Sequence, residues 1–107
     1  MTNTDGPLQV DGSAQGDQLV LVVSGELDPH TAPVLRDRID ASLTDATTTL
    51  VLDVSGLRFI DSSGLRVIIG AHKDMVGRDG RLVLRSPTDT TRRLLDITGL
   101  ANHIEID

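Results

Sequence analysis

The run with the most chemical potential in this 107-residue sequence is Phe59-Ile60-Asp61-Ser62-Ser63-Gly64-Leu65. It places a carboxylate, two hydroxyls and a glycine where a predicted helix begins. Asp and Ser at such a position usually act as N-caps, because their oxygens accept from the free N–H groups of the first turn. The same N–H groups and the positive dipole end also favour an anion there. A phosphate on Ser62 or Ser63 would be accommodated without refolding, and it would add about −1.5 to −2 charge units beside Asp61. The run therefore predicts either a plain helix cap or a modification site.

Most other kinds of chemistry are disfavoured by residue type. The chain has no cysteine, which excludes a disulfide scaffold, a thiolate zinc site and a cysteine nucleophile. Its three histidines, at positions 30, 72 and 103, lack metal-ligand spacing. Ser62 is not in a Gly-x-Ser-x-Gly elbow, because Ile60 stands where the first glycine belongs. We therefore expect no catalytic residue, no metal and no cofactor, and we expect that the protein is not an enzyme.

Asp53 invites comparison with the phosphoryl acceptor of receiver domains, because it ends an apolar strand. A receiver also needs carboxylates after its first strand to hold a divalent cation. The corresponding strand here ends Ser24-Gly25-Glu26, without an acidic pair. The sequence therefore argues against a receiver.

Charge and composition restrict the class of partner. Ten Lys and Arg against 16 Asp and Glu give a net charge of −6, and a single Phe is the only aromatic residue. Nucleic-acid and anionic-membrane binding depend on clustered cations, so we expect neither partner. The polar residues Met1–Gly6 do not resemble a signal peptide, and the apolar run Leu19–Val23 is too short to span a bilayer. These features predict a cytoplasmic protein with a single domain over residues 1–107, of which residues 1–6 form a flexible N-terminus.

Eight elements should position the Ser62 region. Periodicity predicts a strand at Leu8–Val10, a turn through the polar residues 11–17, and strands at Gln18–Ser24, Thr47–Val54, Arg81–Arg85 and His103–Asp107. It predicts three helices. The first is opened by Asp28 or Thr31, the second runs from Ser63 to Val76, and the third begins near Thr88 and ends before Gly99. Residues 55–60 are predicted to be a connector or an extended segment. Phe59 is expected in the core, and His72 and Val76 on an inner helix face. The order β-β-α-β-α-β-α-β predicts an α/β fold, a small mixed sheet with helices packed mainly on one face.

Four motifs together resemble one known family. Gly25-Glu26-Leu27-Asp28, Leu50-Val51-Leu52-Asp53, the run from Phe59 to Leu65 and Leu94-Leu95-Asp96-Ile97-Thr98-Gly99-Leu100 resemble the STAS domains of bacterial anti-sigma factor antagonists. The resemblance extends from about Leu8 to Asp107, with the motifs in family order. It implies a STAS-like single domain.

The resemblance also implies a phosphorylation-gated binding protein. In that family the serine directly after the Asp, here Ser62, is phosphorylated by the anti-sigma factor, which is itself a serine kinase. The unphosphorylated antagonist binds the anti-sigma factor and frees the sigma factor; phosphorylation breaks the complex and a serine phosphatase resets it. Asp61, Ser63 and Gly64 match the motif around the acceptor, with Gly64 keeping the start of the helix open.

A second surface follows from the same resemblance. Asp28, His30 and Thr31 would lie beside the phosphorylatable helix start and contact the partner, although Asp28 serves equally well as a helix cap. Glu26 is expected to be a solvated turn residue. An alternative reading is a constitutive STAS subunit of a transporter or of a stress-signalling assembly.

Overall fold

The structure, a computed structural model, describes residues 7–107 and consists of a five-stranded sheet with three α-helices. The predicted flexible N-terminus, residues 1–6, lies outside the described residues. The strands are β1 (Leu8–Gln15), β2 (Gln18–Leu27), β3 (Thr49–Ile60), β4 (Arg81–Arg85) and β5 (Glu105–Ile106). The helices are α1 (Ala32–Ser42), α2 (Ser62–Gly77) and α3 (Asp89–Thr98), and a short 3-10 helix spans Leu100–Asn102.

The sheet follows chain order, β1-β2-β3-β4-β5. β1 pairs with β2 antiparallel, and the remaining three pairs are parallel. Each parallel connection passes through one helix, and right-handed crossovers in a sheet of this order place α1, α2 and α3 on the same face. The predicted mixed sheet is confirmed, with β3 at its centre.

The core lies between this helical layer and alternate positions of the strands. Leucines of β3 and β4 contribute from the sheet, including Leu50, Leu52 and Leu84. The helices contribute Leu35 and Ile39 from α1, Leu65, Ile68 and Met75 from α2, and Leu95 from α3. Apart from Val76 at the end of α2, the helical spacing of apolar residues read from the sequence is thus the spacing that buries them.

Four of the five strands differ in length from the predictions, and β2 continues past Ser24 to Leu27. β1 continues to Gln15, and its turn is the two-residue Gly16-Asp17, because the backbone of the polar residues pairs with β2 while β1 lies at the sheet edge. Residues 55–60, predicted as a connector or an extended segment, are extended and form the second half of β3. The closing strand predicted from His103 contains only Glu105 and Ile106, because the 3-10 helix takes up the chain before it.

Two predicted core positions are wrong. Phe59 is 47% exposed and Val76 is 55% exposed. Two register irregularities between β2 and β3 occur before Phe59, which pairs with Glu26 while Leu57 and Ile60 turn into the core. His72 is half-buried on α2. None of the helices within residues 7–107 is long and apolar enough to cross a membrane.

Candidate functional site

Asp61 caps the N-terminus of α2. Its extended backbone (φ −123°) ends β3, and its carboxylate Oδ1 accepts from the N–H of Ser63 at 2.8 Å and of Gly64 at 3.3 Å. Its carbonyl oxygen accepts from the N–H of Leu65 at 3.1 Å. Of the three predicted capping side chains, the aspartate is therefore the one that caps, and both serines lie within the first turn.

Ser62 is the first residue of α2 and is exposed to solvent. Its hydroxyl forms no hydrogen bond with any residue from 7 to 107. A group added to this oxygen would project from the helix start into solvent without displacing a buried side chain. The free hydroxyl is therefore separate from the cap that holds the helix.

Ser63 is half-buried and borders a groove of about 560 Å³ between α1 and α2. The groove is lined by Pro29, Ala32, Pro33, Arg36, Ser63, Arg66, Val67 and Gly70. Its walls are apolar, and the two arginines are its charged groups. The two adjacent serines therefore have different surroundings, with one in open solvent and the other at the edge of a groove.

Gly64 is buried where α2 meets the end of β2. A Cβ on this residue would lie 2.6 Å from Leu27 Cδ2 and 2.9 Å from Ile60 Cγ1. Because real Cβ atoms do not approach carbon so closely, only glycine lets the helix start pack against these two side chains. The groups that pack closely against Gly64 are thus core side chains of the protein itself, Leu27 and Ile60.

The turn before α1 is held by Asp28 and Thr31. The Asp28 Oδ1 accepts from the N–H of His30 at 2.9 Å and of Thr31 at 3.0 Å. The Thr31 hydroxyl accepts from the Asp28 N–H at 3.0 Å and donates to the Glu26 carbonyl oxygen at 2.8 Å. Hydrogen bonding from the Thr31 N–H, with help from His30, holds the pKa of Asp28 below its ordinary value.

The three residues predicted to touch a partner are thus differently placed. Thr31 is 2% exposed, so its side chain supports the turn from within. Asp28 is partly exposed and His30 is exposed. Glu26 is exposed as predicted, but it lies in β2 and not in a turn, because it pairs with Phe59 of β3. A partner docking here would meet Asp28 and His30 directly, and Thr31 only through the turn that it holds.

One backbone hydrogen bond joins this turn to the start of α2. The N–H of Asp61 donates to the carbonyl oxygen of Leu27 at 3.2 Å. Because Asp28 follows Leu27 and Ser62 follows Asp61, the turn before α1 and the start of α2 are neighbours. The structure therefore brings Ser62 close to the turn that carries Asp28 and His30.

Asp53 has local partners. Its Oδ1 accepts from the N–H of Ser55 at 3.0 Å and from the Ser55 hydroxyl at 2.8 Å. Within residues 7–107, no group of three or more His, Asp or Glu side chains is placed to hold a metal ion. The surroundings of Asp53 therefore do not support a receiver domain.

Sequence reasoning missed two residues near the site. Phe59, three positions before Ser62, is a large exposed aromatic side chain, and Arg66 borders the groove beside Ser63. The exposure of Phe59 depends on the register irregularities between β2 and β3, and no pattern in the neighbouring sequence indicates it. The position of Arg66 could have been predicted, since it follows Ser62 at a spacing of four residues, which places both on one face of a helix.

Comparison with known proteins yields a consistent set of relatives. Residues 9–107 match the STAS domain family. The chain is 36% identical over 90 residues to the anti-sigma-B factor antagonist of Listeria monocytogenes, covering 84% of this chain and 79% of the relative.

Two solved structures of one protein, in two states, are also similar. The anti-sigma factor antagonist SpoIIAA in its unphosphorylated form aligns with a TM-score of 0.78 and 27% identity, covering 94% of this chain and 87% of that one. The phosphorylated form of Bacillus SpoIIAA aligns with a TM-score of 0.72 and 27% identity, covering 94% and 90%. The Listeria relative and the unphosphorylated SpoIIAA are named as antagonists, which are regulatory binding proteins and not enzymes.

Proposed function

Since this chain belongs to the STAS domain family, we propose that it is an anti-sigma factor antagonist whose binding is switched off by phosphorylation of Ser62. The unphosphorylated form binds an anti-sigma factor that is a serine kinase, and this frees the sigma factor. A serine phosphatase reverses the modification.

The observation that carries the proposal is the exposed Ser62 hydroxyl, which has no hydrogen-bond partner among the described residues and follows the capping Asp61 directly. A kinase needs an accessible nucleophilic oxygen, and a phosphate at the first position of a helix lies in the favourable field of the dipole. The resemblance of this chain to both states of SpoIIAA supports a modification that leaves the fold in place.

The expected effect on binding is electrostatic. Phosphorylation adds about −1.5 to −2 charge units to a chain whose net charge is already −6. The new charge would arise beside Asp61 and near Asp28, on the surface where a partner would contact Asp28 and His30. Burying a doubly charged group in an interface without a cation of the partner opposite it costs several kcal/mol, which is at least about a hundredfold in affinity.

The acceptor can be tested with the cognate anti-sigma factor and ATP, mapping the phosphate by mass spectrometry. We expect modification of the wild type and of Ser63→Ala, and none of Ser62→Ala. Ser63→Ala is the matched control because it removes the neighbouring hydroxyl and leaves Ser62 intact. Phosphorylation of Ser62→Ala at the wild-type rate would refute the acceptor assignment.

A further inference from the structure

Arg66 is a cation without a partner among the residues that the structure describes. It is exposed on α2, and within residues 7–107 its guanidinium forms no ion pair or hydrogen bond. Arg36, on the opposite wall of the same groove, donates instead to Asp40 and to Asp74. The residues three and four positions from Arg66 on α2 are Ser62, Ser63, Ile69 and Gly70, none of which is acidic.

Ser62 and Arg66 are one helical turn apart. Residues at this spacing are surface neighbours, and helical side chains lean toward the N-terminus, so Arg66 lies over the turn that contains both serines. An anion N-terminal to a cation at this spacing is also the more stabilising order of the two. Guanidinium groups bind phosphate oxygens with paired, charge-assisted hydrogen bonds.

We propose that Arg66 is the intramolecular partner of the phosphate on Ser62. In the phosphorylated chain the guanidinium pairs with the phosphate across the first turn of α2 and holds it at the edge of the groove between α1 and α2. This inference rests on the proposed function for the identity of the modified residue. Arg66 is in this sense a positioning residue for the phosphate.

The other charged groups on the elements around the start of α2 either have hydrogen-bond or ion-pair partners already or lie outside the first turn of α2. The Asp61 carboxylate is held by two N–H groups of α2, and the Asp28 carboxylate by two in its own turn. Arg36 is shared between two aspartates. His30 is exposed in the turn before α1, and Arg58 is exposed near the end of β3.

The pairing changes the sign of charge at the groove. Before modification, Arg66 contributes one free positive charge; afterwards the pair carries about −0.5 to −1, because the phosphate adds −1.5 to −2. Phosphorylation then does more than add charge at Ser62. It also removes the free cation at the groove edge from any contact with an acidic group of the partner.

The test uses the full chain with phosphoserine installed at position 62 during translation, so that no kinase is needed. The phosphate is titrated by phosphorus NMR in the wild type, Arg66→Gln, Arg66→Lys and Arg93→Gln. Arg93 is the matched control, an exposed arginine on α3 without an ion pair among residues 7–107. Circular dichroism checks that each variant is folded.

Arg66 should lower the pKa of the second phosphate ionisation. We expect the proton-dissociation constant to fall by roughly two- to five-fold in Arg66→Gln, the size expected for a helix-surface pair with a doubly charged anion. Arg66→Lys should recover part of the effect, and Arg93→Gln should titrate like the wild type.

The pairing would be overturned if the phosphate of Arg66→Gln titrated at the same pH as that of the wild type. It would also be overturned if Arg93→Gln shifted the titration as much as Arg66→Gln does. Because the phosphoserine is installed directly, this result is independent of the kinase assay. A failed kinase assay with a successful titration would reject Ser62 as the kinase's substrate and keep the pairing.

Discussion

Leu27 and Gly64 are in such close contact that a single added methyl group would not fit between them. Leu27 Cδ2 lies 2.6 Å from the position of a Cβ on Gly64, and Leu27 is fully buried. The carbonyl oxygen of Leu27 also accepts from the N–H of Asp61 at 3.2 Å. These two contacts fix the start of α2 against the end of β2, and thereby fix the position of Ser62.

Gly64→Ala should therefore destabilise the fold. Overpacking a filled core costs about 1–3 kcal/mol in the free energy of unfolding, and Leu27 has no solvent-exposed side to move into. Urea denaturation measures the effect. The matched control is Gly77→Ala at the end of α2, where a Cβ would meet nothing within 4 Å. It should be neutral or stabilising by up to about 1 kcal/mol. Equal effects of the two substitutions would contradict this account of the contact.

Phe59→Ala should have little effect on stability. Its ring is 47% exposed, whereas Leu57, two positions earlier on the same strand, is 1% exposed. We expect urea denaturation to show a loss of less than about 1 kcal/mol for Phe59→Ala and of about 2–5 kcal/mol for Leu57→Ala. A loss for Phe59→Ala as large as that for Leu57→Ala would place the ring in the core after all.

The same variant should weaken partner binding. Exposed aromatic side chains are enriched among the residues that dominate interface energies, and Phe59 lies three residues before Ser62. Calorimetry against the anti-sigma factor should show binding at least about five-fold weaker, corresponding to about 1 kcal/mol or more. Ile97→Ala is the control, because Ile97 is an apolar side chain on α3 that is 74% exposed. Unchanged affinity for Phe59→Ala would remove this residue from the interface.

Asp28 should give the fold part of its sensitivity to acid. The Thr31 N–H lowers the pKa of the Asp28 carboxylate, so the stabilisation from the ionised form is present above the ordinary aspartate value of about 3.9 and is lost as pH falls through the lowered pKa. Asp28→Asn keeps an acceptor oxygen but cannot ionise. Its cost in unfolding free energy should be larger at about pH 7 than at about pH 3.

The control for this prediction is Asp45→Asn. Asp45 is exposed in the loop before β3, and its side chain has no hydrogen bond or ion pair with the residues that the structure describes. Its cost should be small and similar at both pH values. If the cost of Asp28→Asn does not shrink on acidification, the N–H groups of the turn do not stabilise the ionised carboxylate.

What the sequence predicted well depends on local chemistry. Asp61 caps α2 because an aspartate oxygen two or three residues before a free N–H needs no distant partner. The helices follow the spacing of their apolar residues, and Gly99 ends α3 at φ 80°, a backbone angle that favours glycine. These features can be read from a few neighbouring residues.

The features that the sequence predicted poorly depend on pairing between segments that are distant in the chain. Phe59 is exposed because β3 shifts register against β2 twice, and no local pattern records such shifts. The polar residues of β1 form a strand because β2 lies beside them. Thr31 fits a contact residue or a helix cap by type, but its side chain is 2% exposed and forms no cap hydrogen bond, and its hydroxyl bonds to the Glu26 carbonyl oxygen instead.

The most direct test of the central claim is the affinity of the chain for its anti-sigma factor with serine or with phosphoserine at position 62. Calorimetry should show a stable complex for the unmodified chain and binding at least about a hundredfold weaker for the phosphorylated one, because added negative charge at an interface costs several kcal/mol. The phosphorylated chain with Ser63→Ala should behave in the same way, because Ser63 is not the switch. Equal affinity of the two forms would contradict phosphorylation gating and would favour a constitutive STAS subunit.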